Sequence, residues 1–243
     1  MNKWPKHLPE LTEQQKSIRE DFMTQWHVEL AKKKKYEAIE RFNHAVLIKN
    51  SQSGGRVLEI GAGLGEHIEY EDLSKLTEYC AMEMRPEMAQ VLQQRFPGVR
   101  VIVGDCQKRI NSPDHSFDRI IAVHVLEHLP NLPEAIKEAY RLLKPTGEFC
   151  VVIPCEGGWA YSLARRLSAQ RLFKKLYGGM EYDWFVKSEH INVPHEIIEE
   201  LTPYFQIKKK IFFPFRVPIV PLNLVICLIL KPRAEIISCS AKE

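Results

Sequence analysis

The sequence lacks the features by which several classes of protein are recognised. Its 243 residues carry a formal net charge of only +3, which gives no reason to expect a nucleic-acid partner. Its six cysteines form no C-x-x-C pair and no paired zinc spacing. It contains no internal repeat and no low-complexity segment, so neither a repeat protein nor a flexible linker is indicated.

Long apolar runs are also scarce. Residues 1–10 contain prolines and charges but no apolar centre, so they do not resemble a secretory signal. The one long apolar stretch, residues 211–230, is interrupted by three prolines and an arginine. It predicts two buried strands joined by a proline-rich turn, without stable membrane insertion. Several cysteines lie in apolar runs, where a thiol packs as a small hydrophobic group, and we expect a cytoplasmic location.

What is present is an alternating pattern of short apolar runs and helical periodicity. Residues 11–50 show helical spacing, with Ile18, Phe22, Trp26 and Leu30 on one stripe and a four-lysine run at 32–35 that is expected to be solvated. Beyond them, the predicted strands are residues 57–60, 78–83, 99–103, 117–123 and 148–153, and the predicted intervening helices are residues 66–73, 86–96 and 132–143. This alternation predicts a parallel sheet with helices on both faces.

The pattern changes after the fifth predicted strand. Residues 155–188 are rich in aromatic and basic side chains and predict a helical insertion. A helix is expected over residues 195–201. Residues 205–213 and 222–230 then predict a closing antiparallel pair of strands.

The stretch Val57–Glu66 is the one around which the chain is organised. A short apolar run rich in β-branched residues predicts a buried parallel strand, and glycines follow at positions 61, 63 and 65. Glycine accepts positive φ angles and lets a ligand approach the backbone closely. A strand, a glycine turn and a helix in this order predict a nucleotide-like ligand above Gly61–Gly65, with plain strand-to-helix packing as the alternative.

Two acidic residues follow the next two predicted strands. Glu83 lies 22 residues beyond Gly61, where a carboxylate can accept hydrogen bonds from both hydroxyls of a ribose. Asp105 can accept a bond from an adenine amino group, while the N–H of Cys106 reaches a ring nitrogen. The alternatives are a surface acid at Glu83 and an ordinary turn residue at Asp105.

Together these motifs resemble those of the class I S-adenosylmethionine-dependent methyltransferases, of the type 11 small-molecule kind. The stretches that carry the resemblance follow the order and spacing of that family and cover most of residues 55–154. They are residues 57–65, 82–88, 103–106, 116–129 and 142–154. The resemblance implies an α/β fold of the Rossmann-like doubly wound type, in which a mostly parallel seven-stranded sheet has an antiparallel C-terminal strand and a helical lid.

The resemblance also implies S-adenosyl-L-methionine as the cofactor. The glycine turn would hold the methionine moiety, the acid after the second strand would hold the ribose, and the residues after the third strand would contact adenine. Met84 would pack on the base, and His124 would lie beside the reactive methyl group. The implied cofactor-binding residues are Glu59, Gly61, Gly63, Gly65, Glu83, Met84, Asp105, Cys106 and His124.

The same resemblance divides the chain into four segments. Residues 1–54 would form a helical cap and residues 55–154 the cofactor-binding core. Residues 155–188 would be the lid, and residues 189–243 the C-terminal part of the core sheet.

An NAD-type dinucleotide fold fits this region less well. Its G-x-G-x-x-G pattern requires glycine at position 66, where this chain has Glu66. A carboxylate there would face the phosphates of a dinucleotide, whereas S-adenosylmethionine has no phosphate. Glu66 is therefore the residue that discriminates between the two interpretations.

Two histidines are the predicted catalytic residues. His128 follows the fourth strand, and His190 ends the insertion in Glu189–Val193, a stretch that resembles the family's pattern before its last core helix. Imidazole suits the removal of a proton from an acceptor near neutral pH. Helix-start packing at His128 and a lid or hinge contact at His190 are the alternatives.

The sequence His124-x-x-Glu127-His128 raises a metal-assisted variant of this chemistry. It resembles the E-x-x-E-H ligand cluster of ubiquinone-biosynthesis O-methyltransferases and small-RNA 2′-O-methyltransferases. Here a histidine replaces the first glutamate, and His190 would be the natural fourth ligand. Because the E-H pair also occurs in metal-free relatives, no metal site is predicted.

The expected function is methyl transfer to a small-molecule acceptor with an apolar portion, most simply to a hydroxyl oxygen. The aromatic insertion and the N-terminal helices would cover that acceptor. Two alternatives stay open at this point: a methyltransferase-like subunit that binds the cofactor without catalysis, and an NAD-dependent oxidoreductase. The sequence does not indicate the oligomeric state.

Overall fold

A computed structural model describes residues 3–32 and 36–234 of the chain. Its strands are β1 (Gly55–Ile60), β2 (Leu76–Glu83), β3 (Arg100–Val103), β4 (Phe117–Val123), β5 (Leu143–Pro154), β6 (Phe205–Phe213) and β7 (Val225–Pro232). Its helices are α1 (Glu13–Lys32), α2 (Glu37–Asn50), α3 (Pro86–Arg95), α4 (Leu132–Leu142), α5 (Trp159–Leu167), α6 (Ala169–Tyr177), α7 (Asp183–Glu189) and α8 (Pro194–Leu201).

The seven strands form one sheet in the order β3-β2-β1-β4-β5-β7-β6. The pairs from β3 through to β5 are parallel, and β7 runs antiparallel to both β5 and β6. The predicted fold class is therefore confirmed. In such a sheet the carboxyl ends of the parallel strands meet at one edge, and ligands bind beside the point where the strand order reverses. Here that point lies between β1 and β4.

Alternation along each strand sends side chains into two apolar layers. Leu58 and Ile60 of β1 pack with residues of α4 and α8 on one face of the sheet. Val57 packs with residues of α2 and α3 on the other face. Both faces of the sheet are thus covered by helices, which explains why its strands read as continuous apolar runs.

A third, smaller core joins the N-terminal helix to the lid. The Phe22 ring of α1 is buried and makes edge contacts with Phe173 and Phe185, at centroid distances of 5.1 and 5.0 Å. The helical periodicity of residues 11–50 and the helical insertion at 155–188 are both confirmed. The four-segment division of the chain remains a proposal. Residues 33–35 of the lysine run, the Leu30 side chain and Cys239 lie outside the described part of the structure.

The predicted helix over residues 66–73 is wrong. Two single turns of 3-10 helix take its place, at Ile68–Tyr70 and Leu73–Lys75. The polar side chains of this segment have buried partners, one of which lies on β4. His67 contacts the Glu71 carboxylate at 3.2 Å, and Glu71 also forms an ion pair with Arg119 of β4. The backbone at Glu71 is extended as a result.

The first three strands differ from their predicted boundaries by one or two residues, and β5 and β7 differ more. β5 begins at Leu143, so Lys144–Gly147 belongs to the strand and does not form a turn after α4. A bulge opposite Phe117–Arg119 accommodates the extra residues. β7 begins at Val225, three residues after the predicted start at position 222. The residues before it form a proline-containing loop, since proline has no N–H to donate to a sheet. Cys80, Cys106, Cys150, Cys155 and Cys227 are free and buried, as the apolar runs indicated.

Candidate active site

The glycine turn lies at the carboxyl end of β1, at the point of strand reversal. Gly61 has a φ of 68°, and a Cβ atom there would approach the Val125 side chain to 2.5 Å. Gly65 has a φ of 89°, and a Cβ atom there would lie 2.4 Å from the Phe96 ring. Close packing therefore requires glycine at both ends of the turn, in addition to the backbone conformation.

The structure brings the turn and the acid of the second strand together. The backbone N–H of Gly63 donates a 3.0 Å hydrogen bond to Oε2 of Glu83. The other carboxylate oxygen accepts bonds from the backbone and the guanidinium of Arg85. Glu83 is buried at the end of β2, which excludes the interpretation of this residue as a surface acid. Oε2, which accepts only the Gly63 bond, keeps a lone pair with which it can accept a bond from a ribose hydroxyl.

Glu66 occupies the position that separates the two cofactor interpretations. Its Oε2 atom accepts a 3.1 Å hydrogen bond from the backbone N–H of Leu64, within the glycine turn. One backbone donor of the turn is thus used by an anionic side chain. A dinucleotide phosphate at this place would meet the carboxylate, so the geometry disfavours a phosphate ligand.

The ends of β2 and β3 adjoin each other beside Glu83. The N–H of Gly104 donates to the carbonyl of Glu83 at 3.1 Å. Asp105, which follows, accepts bonds from the backbone and side chain of Gln107 and so also acts as a turn residue. Burial raises the pKa of the Cys106 thiol to about 12 and keeps it protonated. Met84 is 62% exposed, so its side chain is available to pack against a planar ligand.

Glu59 lies below the glycine turn and not beside Glu83. Its carboxylate accepts a 2.8 Å hydrogen bond from the hydroxyl of Tyr79 on β2. Burial raises the pKa of Glu59 to about 7, and the neighbouring His67 and the Tyr79 bond offset only part of that effect. Its predicted role in holding the methionine moiety remains a proposal.

A second cluster follows β4, around the buried carboxylate of Glu127. His124 has a left-handed backbone with a φ of 53°, and its Nδ1 contacts Oε1 of Glu127 at 3.1 Å. Burial alone would raise the pKa of Glu127, but the bond from His124 and the charges of His128 and His190 outweigh it and lower the pKa. Oε2 of Glu127 is buried and has no hydrogen-bond partner among the described residues.

The two predicted catalytic histidines meet beside this carboxylate. The rings of His128 and His190 lie edge to face at a centroid distance of 5.1 Å. Nδ1 of His128 is 2.7 Å from the carbonyl oxygen of Glu189, which can only accept, so Nδ1 carries the hydrogen. Nδ1 of His190 donates in the same way to Glu156, at 2.8 Å. With the hydrogen on Nδ1, a ring in its neutral form presents a basic Nε2 atom, and burial favours that form at His128 by lowering its pKa.

Two acidic residues that sequence reasoning did not assign support these histidines. Oε1 of Glu156, which follows β5, accepts a 2.6 Å bond from Arg165 while its other oxygen binds His190. Burial would raise the pKa of Glu156, but His190 and Arg165 lower it to about 2. Glu189 forms an ion pair with Arg19 of α1. Only a tertiary contact could identify these pairs, since 34 residues separate Glu156 from His190 and 170 separate Arg19 from Glu189.

The cluster also has the composition of a metal site. Glu127, His128 and His190 each offer one ligand atom, and these atoms lie within 4.8 Å of one another. Two imidazoles and a carboxylate suit a divalent transition metal, and the acceptors on both Nδ1 atoms would orient the rings for it. The residues therefore fit a metal, although none was predicted from the sequence.

Residues 58–151 match a family model described as a methyltransferase domain. The centre of the chain is therefore similar to methyltransferase domains. An uncharacterized methyltransferase-like protein of Schizosaccharomyces pombe is 35% identical over 96 residues, which are 40% of this chain and 37% of that protein. A sterol 4-C-methyltransferase of Caenorhabditis elegans is 32% identical over 102 residues, 39% of this chain and 29% of the relative. The chain thus spans about a third of the length of these curated relatives.

The fold of the methyltransferase domain extends beyond the matched residues. A TehB-like S-adenosylmethionine-dependent methyltransferase from Corynebacterium glutamicum superposes with a TM-score of 0.60 at 16% identity. That likeness covers 90% of this chain and 100% of the other. At this level of identity the likeness concerns the fold alone.

Proposed function

We propose that this protein transfers a methyl group from S-adenosyl-L-methionine to a small, partly apolar acceptor. The observation that supports the proposal is the bond between Gly63 and Glu83, which holds the glycine turn beside the acid that we propose to bind the ribose, within the matched methyltransferase region. Bound there, the cofactor would supply an electrophilic methyl group. The protein then has to align an acceptor in line with that methyl and to exclude water.

In this proposal His128 and His190 provide the base. Each ring holds its hydrogen on Nδ1 toward a fixed acceptor, so each can take a proton on Nε2 from an acceptor hydroxyl. Glu156 and the carbonyl of Glu189 act as positioning groups. General-base catalysis of this kind contributes about 10²–10⁴-fold to rate, with the remainder coming from alignment.

The proposal also specifies which atom of the acceptor receives the methyl group. A histidine base favours a hydroxyl oxygen, and we propose O-methylation on that ground. The C. elegans relative is named as a sterol C-methyltransferase, which supports a lipophilic acceptor but sets carbon beside oxygen as the methylated atom. The aromatic segment over residues 155–188 is the proposed cover for the apolar portion of the acceptor.

The test combines binding with transfer. Calorimetry with S-adenosylhomocysteine is expected to show saturable binding, and NADH is expected to show none. The purified chain, supplied with cofactor labelled with ¹³C at its methyl group, is then incubated with sterols, phenols and hydroquinones. The carbon shift of a labelled product distinguishes O-methyl from C-methyl. NADH binding without S-adenosylhomocysteine binding would contradict the proposal, and cofactor binding with no product would favour a non-catalytic cofactor-binding subunit.

A metal-assisted form of the same transfer is the second candidate. The convergence of Glu127, His128 and His190 favours it, because a bound divalent ion would lower the pKa of an acceptor hydroxyl directly. In that case the histidines are ligands and not bases. Removal of metal ions separates the two forms.

A further inference from the structure

The first lid helix carries its apolar residues on the solvent side. Trp159, Leu163 and Leu167 of α5 recur every four residues and are 59%, 49% and 63% exposed. On the other side of the helix, Tyr161 packs against the main core and Arg165 pairs with Glu156. Helices of globular proteins normally turn their apolar stripe inward. An outward stripe of this kind marks a surface that meets an apolar partner.

The loop between β6 and β7 presents a second set of exposed apolar side chains. Phe215, Val217 and Ile219 are 62%, 38% and 48% exposed. The loop is held by the buried side chain of Asn223, whose amide nitrogen donates to the carbonyls of Val217 and Ile219 at 2.9 Å. Its Oδ1 accepts a 3.0 Å bond from the N–H of Phe215. The apolar side chains therefore project from a hydrogen-bonded loop.

These two sets are neighbours at the edge of the sheet that carries the candidate site. Gly158, which precedes α5, is packed so closely on the loop that a Cβ atom there would lie 3.1 Å from the Cα of Pro221. α5 follows the carboxyl end of β5, and the loop follows that of β6, which runs parallel to β5. We call the exposed apolar residues of α5 and the loop the apolar face. It consists of Trp159, Leu163, Leu167, Phe215, Val217 and Ile219.

The two segments that carry the apolar face have charged residues of one sign only. Residues 157–180, which include α5 and α6, contain five arginines and lysines and no aspartate or glutamate. Arg166, Arg171, Lys174 and Lys175 of this stretch are exposed. Residues 203–234 likewise contain no acidic residue, and Arg216 lies exposed in the loop itself. The chain as a whole is nearly neutral, so this segregation of charge is local.

We propose that the apolar face docks on the surface of an anionic lipid bilayer. Apolar side chains that include tryptophan would enter the boundary between headgroups and acyl chains, while the surrounding arginines and lysines contact anionic headgroups. None of the helices in the described part of the chain has both the length and the apolar composition that crossing a bilayer requires, so this is attachment at the surface. The proposal goes beyond methyl transfer and does not depend on it.

Docking in this way would bring the candidate site to the membrane. The same helix that presents Trp159 outward holds Arg165 inward, against the carboxylate that binds His190. An acceptor dissolved in the bilayer would then lie next to the lid. The outward face of α5 would thus attach to the membrane, and its inward face would adjoin the candidate site that receives the acceptor.

The test is co-sedimentation of the full chain with large unilamellar vesicles. We expect binding to vesicles of phosphatidylcholine with 30% phosphatidylserine, at least tenfold weaker binding to phosphatidylcholine alone, and loss of binding at high salt. L163S/F215S and R166Q/K174Q are each expected to weaken binding at least tenfold. V91S and K137Q, which change an exposed valine of α3 and an exposed lysine of α4, are the matched controls and should leave it unchanged. Circular dichroism and S-adenosylhomocysteine calorimetry verify that every variant is folded.

A second measurement locates the contact. Lipids brominated in the acyl chains are expected to quench the fluorescence contributed by Trp159, identified by its loss in W159F. Equal binding to neutral and anionic vesicles, no binding to either, or equal losses in the test and control variants would overturn the proposal. A change in molecular mass in L163S/F215S, measured by ultracentrifugation without lipid, would instead assign the face to self-association and would also overturn it.

Discussion

Oε2 of Glu83 accepts a 3.0 Å hydrogen bond from the backbone N–H of Gly63, so this bond joins the end of β2 to the turn that follows β1. The turn therefore orients the Glu83 carboxylate, and we propose that the turn and the carboxylate bind the cofactor together. This arrangement lowers the cost of ordering the site when a ligand binds.

The first prediction concerns this carboxylate. In E83Q the amide oxygen can still accept the Gly63 bond, but the charge and an acceptor for the ribose diol are lost. Hydrogen bonds to charged groups contribute about 1.5–3 kcal/mol, so the dissociation constant for S-adenosylhomocysteine should rise roughly 10- to 100-fold. Calorimetry measures it, with E87Q on the exposed first turn of α3 as the control. Equal affinities of E83Q and the wild type would remove Glu83 from the cofactor site.

The second prediction concerns the base. Burial lowers the pKa of His128 below 6.5, so the neutral, basic form persists to a lower pH than in a free histidine. The kcat for an acceptor found in the panel should therefore stay constant from pH 8 to below pH 6.5 and fall only under more acidic conditions. H128N is expected to lower kcat at least 100-fold and to remove that acid limb, with unchanged affinity for S-adenosylhomocysteine. An unchanged pH profile in H128N would transfer the role to His190 or to alignment alone.

Much of the fold follows from residue patterns, because local periodicity and burial decide it. The β4 boundaries and the β6 boundaries agree with the predicted ones, since apolar runs flanked by polar residues end where the sheet ends. The segment after Gly65 was predicted incorrectly, because its spacing is compatible with a helix whereas the buried pairing of Glu71 with Arg119 decides the backbone. No local pattern reports a partner on another strand.

The candidate site, like the fold, could be predicted from the sequence only in part. The proximity of Gly63 and Glu83 could be anticipated, because Gly63 lies in the turn after β1 and Glu83 ends the neighbouring parallel strand β2. The partnership of His190 with Glu156 could not, because it depends on how the lid folds back over β5. The outward stripe of α5 is also invisible to periodicity, which finds an apolar face but not the direction in which it points.

The third prediction concerns metal removal. Nδ1 of His124 already lies 3.1 Å from Oε1 of Glu127, so the buried carboxylate has a hydrogen-bond partner without a cation. We therefore expect methyl transfer to survive dialysis against a chelator, with less than a twofold change in kcat. Elemental analysis of the purified protein is the independent measurement. The metal-assisted form would be established by two results together. Chelation would remove the activity and Mn²⁺, Zn²⁺ or Mg²⁺ would restore it, and in E127Q these ions would restore no activity.

The fourth prediction concerns stability and pH at Glu59. Its pKa is raised by burial to about 7 in the folded protein and is near 4.5 when the chain is unfolded, so the folded state binds a proton between these values. The stabilising contribution is complete below pH 4.5 and is lost as the pH rises through 7, a change of about 3 kcal/mol. E59Q stays neutral at every pH and can still accept the Tyr79 bond. Urea unfolding should therefore show E59Q to be more stable than the wild type at pH 8 and similar to it at pH 5, whereas E87Q should follow the wild type at both. Equal destabilisation of E59Q at pH 5 and pH 8 would mean that packing, and not the buried charge, dominates at this position.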